Sequence, residues 1–205
     1  TNPMAQLAGY LGRYTPIKSV GLCHSVQGCS RNLLKDLGIE YKEPLRESIA
    51  GINHMGWLLE LEDADGNDLY PEIRERAIAI LESGKTDHHD LVRYEYIRRL
   101  GYYCTESSEH NAEYNDFFIK SKYPELIERY NIPLDEYPRR CINQIENWKK
   151  DREKYMHDDV THTRTTEYAS YIMEAIVTDI PYKIGGNVIN NGLIPVSYTH
   201  LTLPT

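Results

Sequence analysis

Apolar and polar residues recur with two different periods along this chain, and the change comes near Pro71. Before it, short apolar runs end in glycines and polar clusters. After it, apolar residues return every three to four positions, as on one face of a helix. An opening helix is predicted from Pro3, which suits a first helical position, with Asn2 as its cap and Met4, Leu7, Ala8 and Leu11 on one face. Residues 18–23 (KSVGLC) read as a short buried strand running into His24-Ser25-Val26-Gln27-Gly28. A helix from Cys29 to Leu37 should stop at Gly38. Residues 49–62 read as strands, IAGINHM and then an alternation through Trp57, Leu59 and Leu61, closed by the turn residues DADGND at 63–68.

Helix dominates from Pro71 onward. PEIRERAIAILESG places Ile73, Ala77, Ile80 and Leu81 on one face and ends on Gly84, and a second helix runs from about His89 to Leu100 with Gly101 as its stop. Residues 102–120 are polar-aromatic without a period. Helices are predicted again over 122–130, 135–156 and 165–177, then a short strand with glycine turns within 182–193. Residues 195–205 (PVSYTHLTLPT) lose the charge density of the preceding segments and are read as a non-native tail. With its opening on Thr1, the chain reads as an internal fragment of a longer protein.

Composition narrows the function classes. At 40% hydrophobic and 26% charged, the 205 residues can bury a core of their own. No apolar run approaches the roughly 18 residues of a membrane span, so no membrane partner is expected. A formal charge of −8 disfavours nonspecific nucleic-acid binding, which needs a basic surface. Four irregularly spaced cysteines fit a reducing cytoplasm better than a disulfide scaffold.

The candidate chemistry sits where apolar runs turn abruptly polar. Cys23-His24 closes the first predicted strand, and Asn53-His54 follows Ala50-Gly51-Ile52 in the same way. A thiolate and an imidazole at two strand ends could make part of an open metal site, though Cys23-His24 alone reads first as buried packing and His54 alone is as compatible with packing as with a ligand role. Glu109-His110 is an acid/base or sugar-binding candidate within a segment that also reads as a plain polar loop. His88-His89-Asp90 has the look of a chelate, but the Thr86–Asp90 stretch is better read as a solvated helix start. Met55 and Trp57 are expected in the core, Cys29, Cys104 and Cys141 in packing roles, and Arg93, Arg139 and Arg164 chiefly in surface pairs. No GxGxxG dinucleotide fingerprint occurs.

Four blocks in order, GLCHSVQG at 21–28, AGINHM at 50–55, RYEYIRRLGYYCTESSEHNAEY at 93–114 and PLDEYPRRC at 133–141, closely resemble glycoside hydrolase family 4, and within it the α-galactosidase (melibiase) branch. The resemblance implies an α/β enzyme of lactate/malate-dehydrogenase-like build. Residues 1–24 would be the end of its NAD-binding Rossmann domain and residues 25–194 its truncated α+β catalytic domain. It implies a cytoplasmic homo-oligomer that uses NAD and Mn²⁺ on α-galactosides such as melibiose. Hydrolysis would proceed by C3 oxidation, C2 deprotonation, elimination, water addition and re-reduction, outside the usual two-carboxylate scheme. By motif, Cys23 and His54 would hold the metal, Asn2 and Asn53 would touch the sugar, and His24 would protonate the leaving oxygen. The C2 base would lie among His110, Glu109 and Tyr114. A thiolate is a soft ligand for Mn²⁺, so that metal comes from the resemblance alone. An α-glucosidase or α-galacturonidase of the same family, or a noncatalytic sugar- or metal-binding relative, is the alternative. The fragment by itself is expected to be inactive.

Overall fold

The structure is a computed structural model that describes residues 3–52, 54–159, 163–189 and 198–202, the last stretch as backbone only. Its helices are α1 Met4–Tyr14, α2 His24–Gln27, α3 Cys29–Leu37, α4 Tyr70–Glu82, α5 Leu91–Leu100, α6 Ser108–Glu113, α7 Glu125–Arg129, α8 Glu136–His157 and α9 Tyr168–Thr178. The strands are β1 Gly21–Leu22, β2 Arg46–Ile52, β3 Met55–Glu62, β4 Tyr103–Cys104, β5 Gly185–Ile189 and β6 Tyr198–Thr202. They form one sheet in the order β1-β5-β6-β2-β3-β4 with every recorded pairing antiparallel. These residues are therefore α+β, as expected for the second domain.

Most predicted elements form, and the departures have local causes. Gly38 adopts φ 64°, which ends α3 as its sequence asks, and Gly101 ends α5 at φ 84°. The strand expected over 18–23 shortens to Gly21–Leu22. Pro3 occupies the cap position of α1 rather than its first turn, and the expected cap Asn2 lies outside the described residues. In β3 the simple alternation fails. Ser48 pairs with Glu60 and Ile49 with Leu58, so Leu59 is an extra residue opposite the β2 backbone. This bulge turns Leu59 outward and brings both Leu58 and Leu61 to full burial. Residues 198–202, set outside the fold by their composition, pair with β5 and β2. Their β-branched alternation, Tyr-Thr-His-Leu-Thr, is compatible with a strand.

Two apolar clusters hold the frame of the site. Leu33 and Leu34 of α3, Ile49, Leu58 and Leu61 of the hairpin, Ile73 and Ala77 of α4, and Tyr94 and Ile97 of α5 make the larger. Leu91, Val92, Tyr96, Cys104, Ala112 and Phe118 anchor the second, with Met55 and Trp57 packed against it as expected. The second cluster fixes the segment 103–118 against the end of the β2–β3 hairpin, where the chemistry gathers.

Candidate functional site

Three separate parts of the chain meet at the hairpin end. Cys23 follows β1 and precedes α2, and its sulfur lies 3.2 Å from the Ser25 hydroxyl. His54 lies at the hairpin turn just before Met55, which pairs with Ile52, and is held at φ 66°. Such turns demand left-handed backbone, which costs a non-glycine residue about 1 kcal/mol, and strain of this kind concentrates at functional sites. The hairpin closes tightly enough for this because Gly51 (φ 142°) has no side chain: a Cβ there would lie 2.5 Å from the Met55 carbonyl oxygen. Glu106 follows β4, tied by the Thr105 N–H donating to the Gly56 carbonyl at 2.9 Å.

One donor atom from each of Cys23, His54 and Glu106 lies within 4.8 Å of the others, and all three residues are half-buried. Sulfur, imidazole nitrogen and carboxylate oxygen at that spacing could hold a metal ion and leave it open positions. His54 Nδ1 is 3.0 Å from the Tyr114 hydroxyl, whereas Nε2 faces Glu106 at 3.5 Å. For Nε2 to offer a lone pair, Nδ1 must carry the proton and donate it to Tyr114, the usual outer support of a ligating histidine. A cavity of about 470 Å³ opens beside the donors, between Met4, Leu7 and Leu11 of α1 and the trio Cys23, His24 and His54.

Around this core stand the proposed acid/base groups. The segment 102–120 is more ordered than its composition suggests: β4 leads into α6, capped by the Ser107 hydroxyl accepting the His110 N–H. α6 carries Glu109 and His110, with Tyr114 just beyond it. The His110 and Tyr114 rings lie 6.1 and 6.0 Å from the His54 ring. His110 Nδ1 is 3.0 Å from a Glu113 carboxylate oxygen. The Glu109 carboxylate instead takes Arg140 of α8. Burial raises the Tyr114 hydroxyl above its ordinary value, with Glu106 and Glu113 adding to the effect, so this phenol resists ionising. His24 points its Nε2 at Glu167, 3.1 Å away and next to α9. The Tyr168 hydroxyl donates to the Cys23 carbonyl at 3.2 Å, so this distant segment also borders the site.

The structure thus brings Cys23, His24, His54, Glu109, His110 and Tyr114 to one neighbourhood, while Asn2 and Asn53 lie outside the described residues. Glu106 escaped the sequence reading. Its signal was there: it follows Tyr103-Cys104-Thr105 in the same apolar-then-polar step that marks Cys23 and His54.

Two other readings need correction. Asp90 stands at the start of α5, but its carboxylate is fully buried and not solvated. It accepts from Arg93 Nε, from the Tyr103 hydroxyl at 2.6 Å and from Ser108 Oγ at 2.9 Å. Arg93 is correspondingly a buried partner and not a surface one. Burial opposes its charge, yet the neighbouring Tyr103 and Asp90 oxygens outweigh that and raise it above its ordinary value. Arg139 and Arg164 make the exposed pairs expected of them, with Glu136 and Glu174. Cys29 and Cys104 are buried, and burial pushes the Cys29 thiol up to about 12, which leaves it inert.

Comparison with known proteins places the chain. Residues 49–196 match the family 4 glycosyl hydrolase C-terminal domain, and residues 1–39 match the preceding family 4 glycosyl hydrolase segment. An α-galactosidase of Bacillus subtilis (strain 168) is 58% identical over 95% of this chain and 44% of its own length. A Bacillus subtilis structure provisionally named a glucosidase superposes with a TM-score of 0.75 at 24% identity, over 98% of this chain and 50% of that one. A 6-phospho-α-glucosidase from gut microorganisms, solved with NAD and Mn²⁺, superposes with a TM-score of 0.62 at 20% identity, over 98% of this chain and 48% of that one. The chain spans about half the length, or less, of each of these proteins, and the two superpositions speak for the fold alone. With a family domain matched across most of its residues, the chain belongs to family 4 of the glycosyl hydrolases.

Proposed function

We propose that the whole protein containing these residues hydrolyses α-galactosides with the help of bound NAD and a divalent metal, Mn²⁺ in the first instance. The observation that carries this is the convergence of Cys23, His54 and Glu106, the first two lining a cavity, with His110 and Tyr114 against His54. The identity to an α-galactosidase supplies the sugar class, and a family structure solved with NAD and Mn²⁺ supplies the cofactors. When bound, NAD supplies a reversible hydride acceptor at C3 of the sugar, and the metal supplies Lewis acidity.

The chain's own residues divide the remaining work. Cys23, His54 and Glu106 hold the metal. His24, beside the thiolate and steadied by Glu167, delivers a proton to the leaving oxygen. Among the three candidates for the C2 base, His110 fits best: Glu113 accepts from its Nδ1, which leaves Nε2 to take a proton. Glu109 is neutralised by Arg140, and Tyr114 is held protonated by burial. Residues 1–24 are taken as the end of the NAD-binding domain and 25–194 as the catalytic domain, with Asn2 and Asn53 on the sugar. A cytoplasmic homo-oligomer completes this reading, and the 205 residues alone are not expected to turn over.

The test is release of nitrophenol from the α-galactoside beside the α-glucoside and α-galacturonide, using the full-length protein under reducing conditions. Activity on the α-galactoside that disappears without NAD⁺, or with EDTA, is the expected result. Activity that survives both omissions overturns the cofactor scheme. Preference for either other sugar replaces the substrate, since hydroxyl epimers are sorted by few contacts. Silence on every glycoside, with sugar still bound, identifies a noncatalytic relative.

A further inference from the structure

The geometry points to Asp90 as a positioning residue that clamps the Glu106 segment against the Cys23–His54 pair and so sets the affinity of that site for a divalent cation. The inference rests on the proposed metal role of those three donors. Asp90 touches none of them. It sits behind them, with no exposed surface, one residue before α5. Its carboxylate receives the Tyr103 hydroxyl at 2.6 Å and the Ser108 hydroxyl at 2.9 Å. These two residues bracket Glu106, three positions before it and two after. A single buried carboxylate therefore grips the segment on both sides of the donor.

The grip is reinforced by one cation. Arg93, one turn along α5, pairs with Asp90 through Nε and lays its guanidinium 4.3 Å over the Tyr103 ring. Its backbone N–H donates to Ser108 Oγ at 3.2 Å, and Nη1 reaches the Cys104 carbonyl at 3.4 Å. Ser108 thus donates its hydroxyl hydrogen bond to Asp90 while accepting from the Arg93 N–H. Asn111 finishes the frame by donating to the Glu106 and Ser107 carbonyls at 2.8 and 3.0 Å. The Glu106 carboxylate accepts the neighbouring Ser107 N–H at 2.9 Å through Oε1 and turns Oε2 towards His54. Buried polar networks of this kind rigidify the elements they touch, and outer supports of metal ligands commonly carry a 10–100-fold share of affinity. A segment of polar residues that would otherwise be a mobile loop is fixed at its donor position by an ion pair on the helix behind it.

The test measures Mn²⁺ binding, by the electron paramagnetic resonance of free Mn²⁺, to the full-length protein kept reduced. Tyr103→Phe and Ser108→Ala each remove one strut and keep the Asp90–Arg93 pair, so they remain usable where Asp90→Asn fails to fold. Each strut variant should weaken Mn²⁺ binding by about 10–100-fold. With Co²⁺ in its place, the thiolate charge-transfer band should persist but shift, as Cys23 stays bound while the oxygen donor loosens. Ile73→Val, in the large core and outside the hydrogen bonds that hold this segment, lowers the melting temperature and should leave Mn²⁺ affinity unchanged. Strut variants that bind Mn²⁺ as tightly as the wild type, or an equal loss in Ile73→Val, overturn the positioning role while the metal reading stands. A wild type whose Mn²⁺ binding is absent, or survives both Cys23→Ser and His54→Ala, overturns the metal reading and this inference together.

Discussion

Two clusters in this protein have nearly the same ingredients and opposite characters. Cys23, His54 and Glu106 form one, and Asp36, His89 and Asp90 form the other; in each, three possible ligand atoms lie within 4.8 Å. In the first, no arginine or lysine hydrogen-bonds to the Glu106 or His54 side chain among the described residues, and Cys23 and His54 line a cavity. In the second, Asp90 is already saturated by Arg93, Tyr103 and Ser108, and His89 reaches Asp36 at 3.2 Å in an exposed pair. Donor spacing is thus no sufficient criterion for a metal site. The deciding factor is whether a protein cation has already taken the carboxylate. The second cluster is structural, and through residues 103–108 it holds the first in place.

That contrast can be broken most directly by removing ligands. Cys23→Ser and His54→Ala should each cost more Mn²⁺ affinity than the ~10–100-fold typical of outer supports, read by metal titration; the same titration on Asp36→Ala and His89→Ala should show no change. Equal losses at both clusters would abolish the distinction. Next in size is stability. Asp90→Ala leaves Arg93 buried without its partner and should destabilise the fold by about 3–5 kcal/mol in denaturant unfolding. Gly51→Ala places a methyl against the Met55 carbonyl and should cost more than about 1 kcal/mol, with weakened metal binding because the His54 turn opens.

Smaller effects sharpen the same point about satisfied carboxylates. Asp63 accepts the Asn67 side chain and the backbone N–H groups of Asn67 and Asp65, and these bonds lower its carboxyl below the ordinary range. The folded value lies below the unfolded one, so the stabilisation is present above about pH 4 and fades as pH falls through the folded value. The melting temperature of Asp63→Ala should therefore fall below that of the wild type at neutral pH, and the gap should close in acid. Smallest of all, His89→Ala removes an exposed pair and should change stability by no more than about 1 kcal/mol.

Much of this arrangement is legible in the residues themselves, because it depends on neighbours in sequence. α3 ends at Gly38 and α5 at Gly101 since only glycine takes the left-handed turn there without cost. The abrupt apolar-to-polar steps at Cys23 and His54 mark the ends of strands, and those ends do carry donors. The blocks around them are what identify the family. Other features are invisible in a one-dimensional pattern. The Leu59 bulge arises from pairing with β2, so the alternation of β3 could not reveal that Leu61 is buried and Leu59 is not. Glu106 becomes a ligand candidate only because β4 pairs with β3 and carries it to the His54 turn.

Sequence alone, then, determined the local elements, the family and the chemical types of the donors, since dihedral preference and side-chain chemistry belong to single residues and short runs. Tertiary structure decided which carboxylates are free. Asp90 and Glu106 look alike in the sequence, each polar and beside a run of aromatic or apolar residues. Only the fold brings Arg93, Tyr103 and Ser108 onto one of them and leaves the other facing a thiol and an imidazole. Availability for chemistry depends on which partners three-dimensional packing delivers, and packing is settled by the whole chain.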